Sequence, residues 1–427
     1  MIRTPIDRRA LLKSTMAAAA SAAMASPAVR AQSAGPRVVV VGGGFGGASC
    51  ARTLRKADPR LTVTLVEQSR TYVASPMSNA VIAGLREPTQ QEFGYDKLAH
   101  DGITVALTAA TKIDAHARSV TLADGKTLAY DRLVLSPGID FRWNAIQGYD
   151  EAASAVIPHA YRGGDQIALL RRQLEAMDDG GTVVIAAPVN PARCPPAPYE
   201  RAGIIAYYLK TKKPRSKVIV LDAKDSFTMQ KQFEEAWKAL YPGMVEWISV
   251  SSGGALTSVD AKTRTLATDF DKYEAAVANV IPPQKAGRLA ELAGVADRTG
   301  WCPVDPVTFE SKLQQNIHVI GDAAIAGAMP RSAAAATSQA KICAAAIAAL
   351  LAGKTPAAPT LTSICFSLLA PDYAISQRGT YRVVEGQYNE SDPGITVSLL
   401  GAARTVRSGE AKDATAWYAD TTAAVFG

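Results

Sequence analysis

The stretch that decides the fold is "PRVVVVGGGFGGASCARTLRKADPRLTVTLVEQ", residues 36–68. The β-branched run at 37–41 predicts a buried strand, and the small and apolar residues that follow predict a helix to about residue 56. A second run at 61–66 predicts another strand, which ends in Glu67. Strand, helix and strand in this order form a complete βαβ unit, the building block of a parallel sheet.

The glycines after the first strand predict a dinucleotide site. The pattern Gly42-x-Gly44-x-x-Gly47 allows a tight turn and brings a pyrophosphate close to the helix N-terminus, where the free N–H groups favour an anion. Glu67 follows Gly47 by 20 residues, the position from which an acid accepts ribose hydroxyls. The predicted contacts here are Gly42, Gly44, Phe45, Gly46, Gly47, Glu67 and Gln68.

Two later segments favour FAD over NAD. "YDRLVLSPGIDF", residues 130–141, predicts a strand that closes on Ser136-Pro137-Gly138. In residues 316–353, "NIHVIGDA" predicts a strand ending in Gly321-Asp322, and a long helix follows. Both patterns are typical of flavoproteins with two dinucleotide domains, in which the aspartate holds the ribityl chain and the helix N-terminus faces the flavin pyrimidine ring. A plain turn is the alternative for Gly321-Asp322.

The middle of the chain predicts a second α/β unit without a nucleotide loop. "GGTVVIAAPVNPARC", residues 180–194, predicts a strand, but prolines and Cys194 stand where GxGxxG would follow. "KVIVLDA", residues 217–223, predicts a neighbouring strand that ends in Asp222. We therefore expect a Rossmann-like domain that has lost NAD binding, and NAD(P)H is not expected to be a substrate.

The tail begins with "KTPAAPT", a linker by composition. "LTSICFSLLAPDYAIS", residues 361–376, follows, and the remaining residues predict short alternating strands to Gly427. The predicted fold class is α/β, with two Rossmann-like domains of the disulfide-reductase flavoprotein type and a smaller C-terminal α+β domain. The predicted domains are 32–149 with 298–355 for FAD binding, 150–297 for the second Rossmann-like domain, and 356–427 for the C-terminal interface domain.

Residues 1–31 predict a twin-arginine export signal rather than part of the fold. Arg8 and Arg9 precede a weakly apolar, alanine-rich stretch, and Val29-Arg30-Ala31 provides a small-residue cleavage context. A disordered basic tail is the alternative. The signal predicts that the mature chain works in the periplasm, where disulfides persist.

Composition excludes several classes of function. The net charge is +7, and five basic residues against one acidic residue in 1–31 account for +4 of it, so the rest has no nucleic-acid footprint. No CxxCH motif for a c-type haem occurs, and the four histidines have no metal-ligand spacing. The alanine-rich segment 333–352 contains polar residues and predicts a buried helix rather than a membrane span.

The five cysteines differ in their predicted surroundings. Cys50 and Cys343 lie in predicted alanine-rich helices as small buried residues. Cys302, in "GWCPVDP", has no predicted chemical role and is interpreted as structural. Cys194 precedes a predicted helix whose N-terminal charge would lower the pKa of its thiol. Cys365 lies in the apolar part of the tail.

The chain resembles the flavoprotein subunit of flavocytochrome c sulfide dehydrogenase, a relative of sulfide:quinone reductase. The resemblance covers the chain after residue 31, and the order and spacing of its motifs make it specific. The motifs that carry it are "VVVVGGGFGG", "MSNAVIAG", "RCPPAPYERA", "NVIPPQKAG", "GWCPVDPVTFES", "NIHVIGDA", "TSQAKICA", "SICFSLLAPDYAIS" and "WYADTTAAVFG".

This resemblance implies a redox-active disulfide between Cys194 and Cys365, next to FAD. Hydrosulfide would attack the disulfide, and the electrons would pass through FAD to the haem of a c-type cytochrome subunit in a heterodimer. Glu200 would be the acid/base, although a capping residue in the first helical turn is an equal alternative. A purely structural disulfide, contributing roughly 4–5 kcal/mol by loop entropy, is the alternative for the cysteine pair.

One departure concerns flavin attachment. Many members of the family have a cysteine that binds FAD covalently in the loop that here reads "VASPMSNAV", and Ser75 occupies that position. We therefore predict non-covalent FAD, with Ser75 and Asn79 among its contacts, or alternatively a branch of the family with a changed task.

Two other functions stay open. An accessory flavoprotein that maintains or reactivates a sulfur-oxidising partner is one. A quinone-linked sulfide oxidase is the other, although the tail is expected to offer no membrane anchor.

Overall fold

The computed structural model describes residues 35–427. The predicted signal at 1–31 lies outside the described residues and stays a prediction. The strands are β1 (Arg37–Val41), β2 (Thr62–Glu67), β3 (Tyr72–Val73), β4 (Glu92–Phe93), β5 (Thr104–Leu107), β6 (Ala110–Asp114), β7 (Ser119–Leu122), β8 (Thr127–Ala129), β9 (Arg132–Leu135), β10 (Ile139–Phe141), β11 (Thr182–Ala187), β12 (Lys217–Asp222), β13 (Val245–Ile248), β14 (Ser258–Asp260), β15 (Thr265–Ala267), β16 (Lys272–Glu274), β17 (Val277–Val280), β18 (Gln284–Ala286), β19 (Cys302–Pro303), β20 (Ile317–Val319), β21 (Ala324–Ile325), β22 (Thr360–Ala370), β23 (Tyr373–Val384) and β24 (Gln387–Val397).

The helices alternate with these strands along most of the chain. They are α1 (Phe45–Ala57), α2 (Ser78–Ile82), α3 (Asp96–His100), α4 (Asp165–Ala176), α5 (Ala197–Lys212), α6 (Gln230–Leu240), α7 (Leu289–Leu292), α8 (Ala333–Leu351) and α9 (Arg404–Val425). Short 3₁₀ turns lie at Pro88–Gln91, Ala153–Ala155, Val250–Ser252 and Gly321–Ala323.

The first sheet is parallel, in the order β20-β9-β1-β2-β5. Its central strand β1 is buried from Val38 to Val41, because helices cover both faces of a parallel sheet. Strand β20 comes from far along the chain and pairs with β9 at the edge. The helices α1 and α8 pack along each other over this sheet. The carboxyl ends of β1, β9 and β20 therefore open into one crevice.

The second sheet is also parallel, in the order β13-β12-β11-β17. Helices α4, α5 and α6 pack against it, with Leu170, Ile205 and Phe233 among the fully buried residues of its core. The two parallel sheets confirm the predicted class of two Rossmann-like domains.

The tail corrects one prediction. Residues 360–397 form three antiparallel strands of 11, 12 and 11 residues, and Arg404–Val425 is a 22-residue helix instead of short strands. The buried positions of this helix, which are Arg407, Ala411, Ala414, Tyr418, Thr422 and Val425, recur every three or four residues. Many of them are small or polar, so the helical period does not appear as an apolar stripe in the sequence.

Strand β22 contacts both Rossmann-like domains. It packs against α5 of the second Rossmann-like domain and against α8 of the first. A residue in the middle of β22, such as Cys365, is thereby held beside elements that are distant in sequence.

Among the described residues, the helix Ala333–Leu351 has the length and apolar composition that crossing a membrane requires, and half of the apolar window is buried within the fold.

Candidate active site

A cavity of about 870 Å³ joins the glycine loop to the two distant cysteines. Its volume lies in the range of cofactor sites. Every site residue predicted from the sequence lines it except Gly47: Gly42, Gly44, Phe45, Gly46, Glu67, Gln68, Ser75, Asn79, Ser136, Pro137, Gly138, Cys194, Glu200, Gly321, Asp322 and Cys365.

Gly47 lies behind the cavity and supports the glycine loop. A Cβ atom at Gly47 would lie 1.8 Å from the carbonyl oxygen of Gly42. Gly42 itself has φ +103°, and a Cβ atom there would lie 2.3 Å from the carbonyl oxygen of Ser136. Both contacts are with backbone atoms, so only glycine fits where β1, α1 and the Ser136 loop approach one another.

The end of β2 fixes this loop from the other side. The carboxylate of Glu67 accepts hydrogen bonds from the Gly43 N–H at 2.7 Å and from the Ser69 N–H at 2.9 Å. Helix α1 begins after Gly44 without a side-chain cap. Its first N–H groups are therefore free of side-chain acceptors and can bind a phosphate.

The Gly321-Asp322 segment forms the opposite wall. Gly321 has φ +77°, and its N–H donates to Oε1 of Gln339 at 2.8 Å. Burial raises the pKa of Asp322, and the charges of Arg193 and Arg331 oppose that rise. Helix α8 begins beside it, with Ser332 as the N-cap. This wall offers a carboxylate and a helix N-terminus to the cavity.

The two cysteines share the cavity as thiols. Both are free, so the predicted disulfide is not formed in the structure and stays a prediction. The pKa of Cys194 is raised, mainly by burial and further by the charges of Cys365 and Glu200. Burial also raises the pKa of Cys365 to about 11, and a hydrogen bond with Ser332 opposes the rise. The two sulfurs are therefore near enough for their charges to interact.

The prediction that a helix N-terminus lowers the pKa of Cys194 was wrong. Desolvation of a thiolate in the cavity is the largest cause of the raised pKa. The backbone at Cys194 is also unusual, with φ +47° in the left-handed region. Its N–H donates to the Arg331 carbonyl at 2.7 Å, and its carbonyl accepts from the Ala197 N–H at 2.9 Å. These bonds and the surrounding prolines hold the strained residue.

Glu200 connects α5 to the strand that carries Cys365. It lies in the first turn of α5, yet its Oε1 accepts a hydrogen bond from the Leu368 N–H of β22 at 3.2 Å. Burial raises the pKa of Glu200 to about 7, against the lowering effects of that bond, of Asn79 and of Arg201. A carboxyl group with a pKa of about 7 can both accept and donate a proton near neutral pH, and whether Glu200 does so stays a prediction.

Arg201 is a buried cation that the sequence analysis missed. It is 2% exposed, and it donates to the carbonyls of His159 (3.1 Å) and Ala160 (2.7 Å) and to the side-chain oxygens of Asn79 (3.0 Å) and Asn279 (2.8 Å). Burial lowers its pKa to about 10. The only sequence signal was its position next to Glu200, because all four partners lie far along the chain.

At the carboxyl end of β12 in the second sheet, side chains pack around Asp222. Asp222, at the end of β12, accepts hydrogen bonds from Tyr199 Oη (2.5 Å), Trp247 Nε1 (2.9 Å) and Lys224 Nζ (2.5 Å). The ring of Phe227 stacks on Tyr199 at 3.6 Å between centroids. The acid that would bind a ribose is therefore engaged inside the protein, and the expectation that NAD(P)H does not bind here stays a prediction.

Three family models match the chain. "Sulfide dehydrogenase [flavocytochrome c] flavoprotein chain, central" matches residues 167–282, and "Flavocytochrome c sulphide dehydrogenase, flavin-binding" matches 357–426. "Pyridine nucleotide-disulphide oxidoreductase" matches 36–168. Together the three matches cover residues 36–282 and 357–426.

Curated proteins of the same type are similar to this chain in sequence, and a solved structure shares its fold. The mitochondrial sulfide:quinone oxidoreductase of Mus musculus is 24% identical over 296 residues, covering 67% of this chain and 65% of that protein, so the chain spans about two thirds of its length. A flavocytochrome c sulfide dehydrogenase flavoprotein chain from Chlorobaculum thiosulfatiphilum is 67% identical over 45 residues, covering 10% of this chain and 94% of that sequence. The sulfide:quinone oxidoreductase structure from Aquifex aeolicus has a TM-score of 0.72 at 18% identity, covering 91% of this chain and 92% of that one.

Proposed function

The chain belongs to the flavoproteins of the flavocytochrome c sulfide dehydrogenase and sulfide:quinone oxidoreductase type, and from this premise we propose that it is a periplasmic, FAD-dependent sulfide dehydrogenase that delivers electrons to a c-type cytochrome subunit. The observation that carries the proposal is that Cys194, Cys365 and Glu200 line the same cavity as the glycine loop. The test is whether sulfide bleaches the flavin of the purified chain under anaerobic conditions.

The cofactor is FAD, and the residues of the cavity fit it. The uncapped N-terminus of α1 suits the pyrophosphate, Glu67 suits the adenosine ribose, and Asp322 suits the ribityl chain. The N-terminus of α8 suits an anionic reduced ring. FAD supplies an acceptor of two electrons that can release them one at a time.

The two cysteines are proposed to exchange between the dithiol and a disulfide. Hydrosulfide attacks one sulfur of the disulfide: a new S–S bond forms to the substrate, the Cys–Cys bond breaks, and the other cysteine leaves with the electron pair. The products are a cysteine persulfide and a cysteine thiol or thiolate. A second hydrosulfide attacks the outer sulfur of the persulfide and leaves with it as hydrogen disulfide, so that this cysteine becomes a thiol or thiolate again. The dithiol then forms the disulfide again by losing two protons and two electrons; bound FAD would accept the electrons, and Glu200 is proposed to accept the protons in turn.

Glu200 is proposed to accept the proton that hydrosulfide carries into the exchange. Burial raises the pKa of each of the two cysteine thiols, so a leaving thiolate there is costly and the proton needs a nearby acceptor and donor. A carboxyl group whose pKa is about 7 serves both directions near neutral pH.

We expect Glu200→Gln to slow flavin reduction by sulfide roughly a hundredfold at pH 8. The substrate ionises identically in both assays, so the ratio of wild-type to variant rates isolates Glu200. This ratio should fall toward one as the pH drops below about 7, because Glu200 is then protonated in the wild type. Stopped-flow absorbance from pH 5 to 9 measures it. A ratio independent of pH would remove Glu200 from the proton path.

Glu310→Gln is the matched control for this experiment. Glu310 is partly buried beside Arg132 and lies outside the cavity lining, so the variant's rates of flavin reduction should follow the wild type.

The pH dependence of folding stability gives a second measurement of Glu200. A carboxyl group whose pKa is raised from 4.5 to about 7 binds its proton more tightly when folded, so lowering the pH across that window should stabilise the wild-type fold. Glu200→Gln should remove this contribution.

Flavin attachment gives an independent prediction. Ser75 lines the cavity where the family's covalent cysteine is expected, and a serine hydroxyl is not expected to form the thioether. After acid precipitation, essentially all of the flavin should therefore appear in the supernatant, measured by its absorbance. Yellow colour that stays with the pellet would show a covalent bond and contradict the prediction.

The proposed electron acceptor is a c-type cytochrome, and a quinone is the second candidate. The match of residues 357–426 to the flavin-binding domain of flavocytochrome c sulfide dehydrogenase supports a cytochrome. The twin-arginine pattern in residues 1–31 supports export to the periplasm. The similarity to sulfide:quinone oxidoreductases supports a quinone as the second candidate. Anaerobic assays with sulfide and either a c-type cytochrome or a short-chain quinone separate the two.

An accessory role is the third possibility, and it requires that sulfide does not reduce the flavin. In that case neither acceptor would be reduced by sulfide, although dithionite would still bleach the flavin.

A further inference from the structure

We propose that Arg331 is a positioning residue for Cys194, and that the indole ring of Trp301 holds Arg331 in place. Together they fix the backbone of Cys194 against the cavity wall that carries Asp322. The inference rests on the proposed function and deepens it, because it gives a task to the "GWCPVDP" segment and to the loop before α8, which the proposed reaction leaves without a role.

The loop between Asp322 and α8 leaves the cavity and returns to it. Asp322 lines the cavity at one end of the loop, and Ser332, the N-cap of α8, lines it at the other end. Nε of Arg331 donates a hydrogen bond of 2.8 Å to the carbonyl oxygen of Asp322, nine residues earlier. The arginine side chain therefore closes this loop and sets the spacing between the carboxylate wall and the N-terminus of α8.

The backbone of Arg331 holds the cysteine. Its carbonyl oxygen accepts a hydrogen bond from the N–H of Cys194 at 2.7 Å. Cys194 has φ +47°, a conformation that a residue with a side chain keeps only where its surroundings hold it. The other backbone bond of Cys194, which its carbonyl accepts from the Ala197 N–H, stays within the turn. The Arg331 carbonyl is therefore the contact that ties the Cys194 backbone to the Asp322 wall.

Trp301 holds the guanidinium group that closes the loop. Cζ of Arg331 lies 4.0 Å from the centre of the Trp301 ring, and Trp301 is 3% exposed. Trp301 directly precedes β19, in which Cys302 pairs with Ala324, two residues after Asp322. The ring thus lies beside the start of the same loop. A planar guanidinium stacks on an indole ring, so this contact fixes the plane from which Nε donates.

Cys302 has a structural place in this arrangement. It is fully buried, and burial together with the charge of Asp297 raises the pKa of its thiol to about 12, while the charge of Arg331 opposes the rise. A thiol with this pKa is protonated at neutral pH and is a poor nucleophile. Strand β19 therefore places Trp301 and does not supply a third reactive thiol.

The proposed reaction depends on where Cys194 lies. A disulfide forms only within a narrow range of distances and angles, and a shift of about 1 Å in a reacting group can slow a step roughly a hundredfold. Without the bond to Asp322, the Arg331 carbonyl can move with its loop, and Cys194 moves with it. Arg331 does not line the cavity, so it acts on the chemistry only through Cys194 and Asp322.

The equilibrium between dithiol and disulfide tests the positioning without sulfide. The flavin-loaded chain is equilibrated anaerobically in glutathione buffers, in which Cys194 and Cys365 lose two electrons and two protons to one glutathione disulfide, which becomes two glutathione molecules. For Arg331→Met, the buffer ratio that oxidises half of the pair should shift about tenfold toward more oxidising buffers, because the two sulfurs lose effective concentration. Alkylation and peptide mass spectrometry quantify the pair.

Flavin reduction by sulfide gives a second readout. At saturating sulfide, the rate for Arg331→Met should fall about tenfold to a hundredfold, while the half-saturating sulfide concentration stays unchanged. Reduction by dithionite should not change. Trp301→Leu should reproduce the loss, and Trp301→Phe, which keeps a ring, should retain most of the rate. Arg331→Lys should also be impaired, since an ammonium group lacks the planar stacking.

Arg404→Met is the matched control. Cζ of Arg404 lies 5.0 Å from the centre of the Tyr373 ring, and neither residue lines the cavity. The variant removes a cation–π contact of the same kind at another place in the fold. Its disulfide equilibrium and its rate of flavin reduction should therefore equal those of the wild type.

The outcomes separate the positioning role from the proposed function. If sulfide fails to bleach the wild type but Arg331→Met and Trp301→Leu shift the disulfide equilibrium, the function falls and the positioning role stands. If sulfide bleaches the wild type, and both variants keep its rate and equilibrium, the function stands and the positioning role is overturned, even if their unfolding temperatures drop. A wild type that forms no disulfide at any buffer ratio would overturn both. If Arg331→Met does not fold, Arg331→Lys and Trp301→Leu decide by the same two measurements.

Discussion

Replacing Cys194 by alanine is expected to slow the reduction of flavin by sulfide by roughly three orders of magnitude or more. The reason is that the proposed reaction begins with an S–S bond between Cys194 and Cys365, and neither thiol alone can form it. Cys365→Ala should have the same effect, since both sulfurs line one cavity and burial raises the pKa of each thiol. Stopped-flow absorbance with sulfide measures the loss.

Two controls make this experiment specific. Cys50→Ala removes a fully buried thiol in α1, outside the cavity lining, and should leave the rate unchanged. Dithionite should reduce the flavin of every variant, which shows that the cofactor is bound and active. If sulfide bleached Cys194→Ala at the wild-type rate, sulfide would have to react with the flavin directly, and the proposed exchange at the two cysteines would be refuted.

Gly47→Ala is expected to yield protein without bound flavin, destabilised by about 3 kcal/mol or more. The added Cβ atom would lie 1.8 Å from the carbonyl oxygen of Gly42 and 3.0 Å from its carbon, both backbone atoms that cannot turn away as a side chain does. Relief requires that α1 move away from the end of β1, which takes the first N–H groups of the helix from the pyrophosphate position. The ratio of flavin to protein absorbance and the thermal unfolding midpoint measure the two effects.

Gly409→Ala is the matched control, with the opposite expected sign. Gly409 lies inside α9, and a Cβ atom there would meet nothing within 4 Å. Alanine should stabilise that helix by about 0.5–1 kcal/mol and leave the flavin content unchanged. A Gly47→Ala protein that kept a full complement of flavin would contradict the assigned role of the close approach between Gly47 and Gly42.

The tail shows where sequence patterns failed. Residues 404–425 were expected to form short strands, because alanine, threonine and charged residues obscure any single period in "RTVRSGEAKDATAWYADTTAAV". The helix is specified by packing instead: Ala411 and Ala414 are small enough to lie close to the neighbouring elements, and Arg407 is buried with Glu235 and Glu410 as partners. Such tertiary partners override local propensity.

The pKa of Cys194 is a second property that the local sequence did not predict. Sequence placed Cys194 before a helix, which alone would lower the pKa of the thiol. Its burial in the cavity raises the pKa instead, since desolvation depends on every surrounding element and not on the nearest helix. The sequence left Glu200 between a helix cap and an acid/base, and its bond to the Leu368 N–H, far along the chain, is a contact that no local pattern predicts.

The sequence by itself determined the parallel sheets, the glycine loop and the flavin class, because these depend on short-range periodicity and on positions that only glycine can occupy. Only the tertiary structure brought Cys365 into the same cavity as Cys194, connected Glu200 to β22, and brought Arg193 and Arg201 near the Tyr161 ring. Those contacts join residues from distant parts of the chain. They exist because β22 packs against α5 and α8 at once, and no local pattern encodes that packing.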